Sequence, residues 1–437
     1  MRQVGDGADD SAATVGGMQP DSDELTDLSA FVQASPSAYH AAAETARRLT
    51  AAGWSPQPRT EAWDVSPGGH FTLRGGALIA WWVPESADTR SGYRIVGAHT
   101  DSPGFKLKPH PQLRRHGWDQ LGVEVYGGPL LASWTDRDLG LAGRVVDRLG
   151  NEALIRTEAV ARIPQLAIHL NRSVNADGLK LDPQAHTMPI IGLGERELFD
   201  LLLDGVDLPA DPVGFDLHTY DTQPPAVIGA GGEFFASARL DNLSSVHAGL
   251  TALLEPADDH GPEIRVLAIF DHEEVGSAST TGAAGPLLEE VLRRTSLGLG
   301  ADEEQHLAML AGSSCVSSDA GHAVHPNYAE YHDPANHPLL NGGPLLKINA
   351  NQRYATDGVG AALWSRVCDQ AGVRVQPFVS NNAIPCGSTI GPITATRIGV
   401  TTVDVGVPLL SMHSARELAG TGDLLDLGAA LRAYLWL

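Results

Sequence analysis

A mostly apolar run at residues 264–270, followed at once by Asp271-His272-Glu273-Glu274, constrains the fold of this chain more than any other feature. The run has the length and composition of a buried strand, and α/β sheets collect their ligands beyond the carboxyl ends of such strands. Because successive side chains leaving a strand point in different directions, one glutamate can hold a cation while its neighbour accepts a proton. A solvated acidic turn is the simpler alternative.

Size and charge narrow the class of protein. The chain has 437 residues and 43% hydrophobic content, enough for one sizeable core and a second domain, since single cores rarely grow past about 250–300 residues. A net charge of −23 with no Lys- or Arg-rich stretch argues against a nucleic-acid or anionic-membrane partner. No stretch approaches the ~18–20 apolar residues of a membrane span, and no secretory signal pattern stands at the N-terminus. We therefore expect a soluble, cytoplasmic protein.

The three cysteines, Cys315, Cys368 and Cys386, are far apart and form no Cys-x-x-Cys pair. This spacing favours a reducing compartment and argues against both a disulfide framework and a cysteine zinc site. Any metal must therefore be bound by His, Asp and Glu side chains. Only four lysines occur, so the position of each one is informative.

The N-terminal part of the chain contains three kinds of predicted structure in succession. Residues 1–22 are rich in Gly, Asp, Ser and Ala without an apolar period, which predicts a disordered tail. Helical patterns follow at 25–31 and 39–52, and a hairpin with strands at 71–74 and 77–83 comes next. A further buried strand is predicted at 93–98, ending at His99.

Beyond that strand, the pattern predicts an insertion within an α/β domain. From 109 to 225 the chain has short alternating strands and many turn residues, which indicates an inserted β-rich domain. From 226 onward strands and helices alternate again. We therefore predict an α/β/α catalytic domain built from 23–108 and 226–437.

Other candidate ligands are ambiguous one by one. His99 and Asp101 lie on the same side if strand geometry persists, so Asp101 could accept the second ring N–H of a metal-bound His99, although a hydrogen-bonded core histidine explains His99 equally well. Asp241 stands before a predicted helix, where an N-cap aspartate is also expected. Asp319 and His413 follow strand-like runs.

Together these positions are more informative. Most of them follow predicted strands whose loops converge above one edge of a sheet. Two histidines and three carboxylates, one of them bridging, could hold two divalent cations roughly 3.5–4 Å apart with a water between them. Cocatalytic hydrolysis uses that arrangement.

Six stretches of the chain resemble the aspartyl aminopeptidases, cocatalytic zinc exopeptidases related to vacuolar aminopeptidase I. They occur in the family's order and span nearly everything after residue 22. The matching stretches are Ala98-His99-Thr100-Asp101-Ser102-Pro103, Arg239-Leu240-Asp241-Asn242-Leu243, Asp271-His272-Glu273-Glu274-Val275-Gly276-Ser277, His322-Ala323-Val324-His325-Pro326-Asn327-Tyr328, Asn341-Gly342-Gly343-Pro344 through Asn349-Ala350-Asn351-Gln352-Arg353-Tyr354-Ala355-Thr356, and Ser411-Met412-His413-Ser414-Ala415-Arg416-Glu417.

The resemblance implies a three-layer α/β/α zinc-exopeptidase-like catalytic domain and assigns its ligands. One metal would take His99, Asp241 and Asp319, and the other Asp241, Glu274 and His413. Zinc is the favoured ion, with manganese and cobalt as alternatives. Glu273 would act as general base on the bridging water, and Asp101 would support His99 from behind. It also implies a cis peptide bond between Asp241 and Asn242.

The resemblance further implies an assembly and a specificity. His169, which alone reads as a structural histidine in an apolar strand, would reach from a partner subunit and steady the oxyanion, making the insertion a dimerisation domain within a dodecamer. Without the resemblance, Lys347 would be interpreted as a snorkelling side chain without a functional role. With it, Lys347 would pair with the acidic side chain of the substrate beside Tyr354.

These implications predict removal of N-terminal Asp or Glu from peptides by a homo-oligomer. Two alternatives stay open, namely an aminopeptidase that prefers neutral residues and a catalytically silent, peptide-binding scaffold. Retention of Glu273 argues against the scaffold. The histidines at 322, 325, 332 and 337 lie in sequence typical of a loop, and we expect loop or supporting roles for them rather than a separate metal site.

Overall fold

The computed structural model describes residues 22–194, 197–255 and 261–436. The predicted tail at 1–22 lies outside the described residues, except for Ser22, which begins the first helix. In the described part of the chain, no helix has the length and apolar character needed to cross a membrane. The three cysteines are free thiols.

The strands run in chain order as β1 (Ser55–Pro56), β2 (Gly68–Arg74), β3 (Ala77–Val83), β4 (Tyr93–His99), β5 (Gly104–Arg115), β6 (Trp118–Tyr126), β7 (Leu139–Asp147), β8 (Glu152–Arg156), β9 (Ile190–Gly192), β10 (Pro212–Asp221), β11 (Ala226–Ile228), β12 (Phe234–Ser237), β13 (Ile264–Phe270), β14 (Ser314–Ser318), β15 (Gly321–His322), β16 (Leu345–Ile348), β17 (Gln376–Val379), β18 (Thr401–Gly406), β19 (Pro408–Leu410) and β20 (Glu417–Gly420). The helices are α1 (Ser22–Ala34), α2 (Ala38–Ala51), α3 (Val174–Asp177), α4 (Leu198–Leu202), α5 (Leu240–Leu254), α6 (Leu287–Gly298), α7 (Glu303–Ala311), α8 (Gly358–Ala371), α9 (Ile390–Ile398) and α10 (Thr421–Leu435).

A nine-stranded sheet in the order β1-β2-β3-β13-β4-β14-β18-β16-β17 forms the centre of the molecule. At its middle, β13, β4, β14 and β18 are mutually parallel, so their carboxyl ends meet at one edge. Every residue of β13 is buried, as its apolar composition predicts. The predicted hairpin is formed by β2 and β3.

Helices cover both faces of this sheet because alternate side chains of each strand point to opposite faces. Leu267 and Ile269 of β13 pack into one core with α1, α2, α5, α8 and α10. Val266 and Phe270 pack on the other face with α6, α7 and α9. The predicted three-layer α/β/α class is confirmed.

A six-stranded antiparallel sheet has the order β8-β7-β10-β5-β6-β9. It begins with β5 at Gly104, five residues before the stretch 109–225 that was predicted to be β-rich. It has its own core, which includes Phe105, Leu141 and Leu217. Its first strand, β5, begins shortly after the loop that follows β4, so the chain leaves the central sheet directly beside His99.

A third sheet was absent from the sequence-based prediction. It has five strands in the order β11-β12-β20-β19-β15. These strands have two to four residues each, which is too short to produce a periodic pattern. The sheet matters for function because β12 leads into Asp241 and β19 leads into His413. Helices α7 and α9 were also not predicted.

Candidate metal centre

Three strand ends and two loops bring the predicted ligands together in two groups. In the first group, His99 Nε2 lies 3.2 Å from Asp241 Oδ1 and 3.3 Å from Asp319 Oδ1. His99 is the last residue of β4, and Asp319 follows β14. We call His99, Asp241 and Asp319 the His99 triad.

In the second group, His413 Nε2 lies 3.3 Å from Asp241 Oδ2 and 3.3 Å from Glu274 Oε2. We call Asp241, Glu274 and His413 the His413 triad. Within each triad, the candidate ligand atoms lie within 4.8 Å of one another. Asp241 therefore offers one carboxylate oxygen to each triad, the arrangement that a bridging ligand requires.

The donor chemistry of the two triads fits divalent cations. Imidazole nitrogens and carboxylate oxygens are the ligands that zinc takes when cysteine is absent. Asp241 Oδ1 and Glu274 Oε1 are buried and accept no hydrogen bond. Unpaired buried carboxylate oxygens are costly, and buried charges in proteins are normally paired or bound to metals. A cation in each triad would remove that cost.

The ionisation of the cluster reflects its excess of negative charge. Burial raises the pKa of Glu273 to about 8, and the nearby carboxylates of Asp319 and Asp241 add to the rise while His99 opposes it. Burial and the charge on Asp241 also raise the pKa of Glu274 well above its usual value. Burial alone would lower the pKa of His99, but the carboxylates of Asp101, Asp241 and Asp319 around its ring raise that pKa.

The backbone around Asp241 is irregular. The Asp241-Asn242 peptide bond is cis, as predicted. Arg239, just before it, has a left-handed backbone with φ of 58°. Asp241 lies inside the first turn of α5 at a kink, so it is not the N-cap that the alternative interpretation offered. Its backbone carbonyl accepts a hydrogen bond from Ser102 Oγ at 2.8 Å.

Glu417 was missed by the sequence analysis, which quoted it only as the end of a motif. One of its carboxylate oxygens accepts the backbone N–H of Asp241 at 3.0 Å, and the other accepts that of His413 at 2.8 Å. Burial raises the pKa of Glu417 to about 8, an effect that the charge on Asp241 reinforces. Glu417 thus ties together two of the candidate ligands.

Asp101 supports the site differently from the prediction. His99 Nδ1 contacts the backbone carbonyl oxygen of Asp101 at 3.1 Å, and the Asp101 carboxylate is farther away at 3.6 Å. The carboxylate instead accepts the backbone N–H groups of Glu273 and Glu274, at 3.0 and 3.1 Å, and the hydroxyl of Tyr126 at 2.8 Å. The expectation of a carboxylate-bound ring N–H is wrong because β4 ends at His99 and strand geometry does not persist.

Glu273 and Glu274 begin a short turn rather than a free acidic loop. The turn spans Glu273–Val275 between His272 and Gly276, both of which have left-handed backbones. Glu273, Glu274 and His99 also form a group whose ligand atoms lie within 4.8 Å of one another. Glu273 therefore lies at the cluster without belonging to either triad.

Lys347 is buried, with only 1% of its surface exposed, so the snorkelling alternative is wrong. Its Nζ donates to the Ala320 carbonyl oxygen at 2.6 Å and lies 3.6 Å from Asp319 Oδ2. The same Nζ lies 5.3 Å from the centre of the Tyr354 ring. The lysine is therefore placed between Tyr354 and the His99 triad.

A cavity of about 430 Å³ opens beside the cluster, and Tyr354 lines it. Its wall includes aromatic and apolar side chains together with His322, His325 and His332. Lys347 is absent from the described residues that line it. His325 donates its backbone N–H to His332 Nε2 at 3.1 Å, and His337 Nδ1 contacts the Asp333 carbonyl oxygen at 2.8 Å.

Two other histidine predictions can be compared with the structure. Among the described residues, no group of three close metal-binding side chains includes His322, His325, His332 or His337. His169 lies in an exposed turn and not in an apolar strand, because the residues after Ile163 form no ladder. No hydrogen bond or ion pair of the described residues joins His169 to the cluster of its own chain.

Comparison with known proteins relates this geometry to a family. Residues 31–435 match the family described as Aminopeptidase I zinc metalloprotease (M18). The chain is 52% identical over 417 residues to a protein named Probable M18 family aminopeptidase 2 from Streptomyces coelicolor, which covers 94% of this chain and 96% of that protein.

Solved structures show the same likeness in the fold. The cryo-EM structure of the Ape4 and Nbr1 complex matches with a TM-score of 0.90 and 35% identity, covering 94% of this chain and 85% of that one. The structure of the S. cerevesiae mApe1 dodecamer matches with a TM-score of 0.82 and 26% identity, covering 94% of this chain and 96% of that one.

Proposed function

Since the chain belongs to the M18 family of zinc metalloproteases and is therefore a metal-dependent aminopeptidase, we propose that it removes Asp or Glu from the N-terminus of peptides. The observation that carries the catalytic part of this proposal is the division of the Asp241 carboxylate, with one oxygen facing each triad. The His99 triad would hold one divalent cation and the His413 triad the other, with zinc favoured and manganese or cobalt as alternatives.

When bound, the two cations supply Lewis-acid polarisation of the scissile carbonyl and lower the pKa of the attacking water. Glu273 acts as general base. It accepts a proton as the water oxygen bonds to the carbonyl carbon, and it donates that proton to the leaving amine as the C–N bond breaks. The hydrogen bond from its backbone N–H to Asp101 holds Glu273 at the cluster.

The preference for acidic residues rests on Lys347 and Tyr354. Tyr354 lines the cavity beside the cluster, and Lys347 Nζ, which does not line it, lies 5.3 Å from the centre of the Tyr354 ring. A positive charge this close to the cavity favours a substrate carboxylate over an apolar side chain.

The cavity also favours one alternative, an aminopeptidase that prefers neutral residues. Its lining contains Tyr328, Tyr331, Phe378 and Met412, and these side chains suit an apolar group. Rates on aspartyl and leucyl peptides separate the two specificities, since a leucyl preference would contradict the acidic one.

We further propose that the six-stranded region joins two copies of the chain in a homo-oligomer, and that His169 reaches the partner's cluster. Leu166, Ile168 and Leu170 are exposed on either side of His169, and Leu166 lines a groove of about 570 Å³. Exposed apolar side chains in one segment are typical of an interaction surface. A monomeric variant with full turnover would contradict this role of His169.

The experiment that tests the proposed chemistry is a comparison of the wild type with Glu273→Gln. We expect both proteins to bind two zinc ions and the variant to lose turnover of an aspartyl peptide by about 10²–10⁴-fold, the usual contribution of a general base. Glu304→Gln on the exposed surface of α7 serves as the matched control and should behave as wild type. Unchanged turnover in Glu273→Gln would remove Glu273 as the base.

A further inference from the structure

The two triads differ in what lies behind their outer carboxylates. Each triad has one carboxylate of its own beside the shared Asp241, namely Asp319 in the His99 triad and Glu274 in the His413 triad. The first oxygen of each faces a histidine, at 3.3 Å in both cases. The second oxygens have different surroundings, and only one of the two triads has a positive side chain beside it.

The second oxygen of Asp319 is paired with a cation. Asp319 Oδ2 lies 3.6 Å from Lys347 Nζ, and both residues are buried, with 7% and 1% of their surfaces exposed. The ammonium is held in place because it also donates to the Ala320 carbonyl oxygen at 2.6 Å. Gly321 contributes as well, since a Cβ there would lie 3.3 Å from Lys347 Cε and 2.3 Å from Leu345 Cδ1.

The second oxygen of Glu274 has no such partner. Glu274 Oε1 is buried and accepts no hydrogen bond. Among the ion pairs of the described residues, Glu274 takes part only in the one with His413. The His413 triad therefore has two carboxyl groups without a neighbouring ammonium, whereas the His99 triad has two with the Lys347 ammonium beside them.

We propose that Lys347 makes the two metal positions unequal by lowering the divalent-cation affinity of the His99 triad relative to that of the His413 triad. This inference rests on the two-cation part of the proposed function. A fixed positive charge repels a cation strongly in a buried site, where the effective dielectric constant is far below that of water. The ammonium also draws electron density from Asp319 and makes it a weaker ligand.

The role differs from substrate selection, which the same side chain was assigned above. Selection acts on the ratio of rates for acidic and neutral substrates, whereas the role proposed here acts on metal binding in the absence of any substrate. Lys347 is a positioning residue in this sense, because it acts through Asp319.

The test is a zinc titration of metal-free protein by calorimetry with a competing chelator. We expect wild type to bind two zinc ions with unequal affinities. In Lys347→Gln, which removes the charge and can still donate to the Ala320 carbonyl, the weaker step should tighten by about tenfold or more while the tighter step stays unchanged. Lys347→Met should behave alike. Lys108→Gln, at a half-buried lysine of β5 that donates to Gln184, removes a charge elsewhere and should change neither step.

A second pair of variants tests the inference without altering Lys347. In Glu274→Gln only the His99 triad stays complete, and in Asp319→Asn only the His413 triad does. We expect the remaining zinc to bind about tenfold or more weakly in Glu274→Gln than in Asp319→Asn. Equal affinities in this pair, or an unchanged weaker step in Lys347→Gln, would overturn the inference. A wild type that binds fewer than two zinc ions would instead contradict the two-cation function.

Discussion

The proposed metal ligands divide into two sets that the molecule holds in different ways. The sheet ligands are His99 and Asp319, at the ends of β4 and β14, and Glu274, in the turn that follows the neighbouring β13. Asp241 and His413, the loop ligands, follow short strands of the five-stranded sheet. The sheet ligands are fixed by ladder hydrogen bonds and a buried core, whereas the loop ligands depend on a few individual hydrogen bonds.

Glu417 is the main support of the loop ligands. Its two carboxylate oxygens accept the backbone N–H groups of Asp241 and His413. Ser102, Gly128 and Leu130 provide further hydrogen bonds to this set. One side of the metal centre is therefore supported by the central sheet, and the other side depends on one buried carboxylate. Single substitutions should therefore have different consequences on the two sides.

The largest effect is expected from Asp241→Asn, which removes the ligand that both triads share. An amide oxygen is a weaker ligand than a carboxylate, and only one of the two side-chain atoms can still bind a metal. We expect fewer than one zinc ion per chain and a fall in turnover of about 10³-fold or more. Metal analysis after dialysis checks this outcome.

Asp369→Asn, at an exposed position of α8, is the matched control and should retain both zinc ions. If Asp241→Asn also kept two ions, Asp241 would not be the bridging ligand, and the division into two triads would have to be abandoned.

A smaller effect is expected from Glu417→Gln. The glutamine NH₂ group is a donor and cannot accept a backbone N–H as the second glutamate oxygen does. One loop ligand therefore loses its hydrogen bond to residue 417. We expect zinc to bind about 10–100-fold more weakly at the His413 triad, the usual cost of losing a supporting group. Calorimetric titration of the two zinc steps measures it.

The difference between the sheet ligands and the loop ligands predicts which of the two zinc-binding steps changes. The tighter step, assigned to the His413 triad, should weaken more in Glu417→Gln, because this triad contains both loop ligands whereas the His99 triad contains only Asp241. Equal weakening of both steps would show that the loop ligands are not separately supported.

The smallest effect is expected from Asp101→Asn on the side of the sheet ligands. This change weakens the hydrogen bonds that hold the backbone of Glu273 and Glu274, but β13 still places both residues. We expect turnover to fall by about tenfold, with two zinc ions retained. Steady-state kinetics with metal analysis on the same samples checks this. Loss of a zinc ion would contradict the view that the strands alone secure the sheet ligands.

Sequence patterns predicted the sheet side of the molecule well. The apolar run of β13, the hairpin of β2 and β3, and the α/β/α class all follow from periodicities that a long strand or helix imposes on its side chains. The expected convergence of His99, Glu273 and Asp319 followed from the rule that parallel strands end at one edge.

The loop side could not be predicted in the same way. The five-stranded sheet leaves no period in the sequence because its strands are so short. The contact of Glu417 with Asp241 and that of Lys347 with Ala320 are made only by the fold, at separations of 176 and 27 residues. The strand predicted around His169 was wrong because an apolar neighbourhood occurs both in buried strands and in exposed segments.

In the proposed site, Asp241 lies between two cations, one held with His99 and Asp319 and the other with Glu274 and His413. Anomalous diffraction at the zinc edge from crystals of the zinc-loaded protein would locate both ions. We expect two anomalous peaks, one within each triad and on opposite sides of the Asp241 carboxylate. A single peak, or a second peak bound by residues outside these five, would contradict this arrangement.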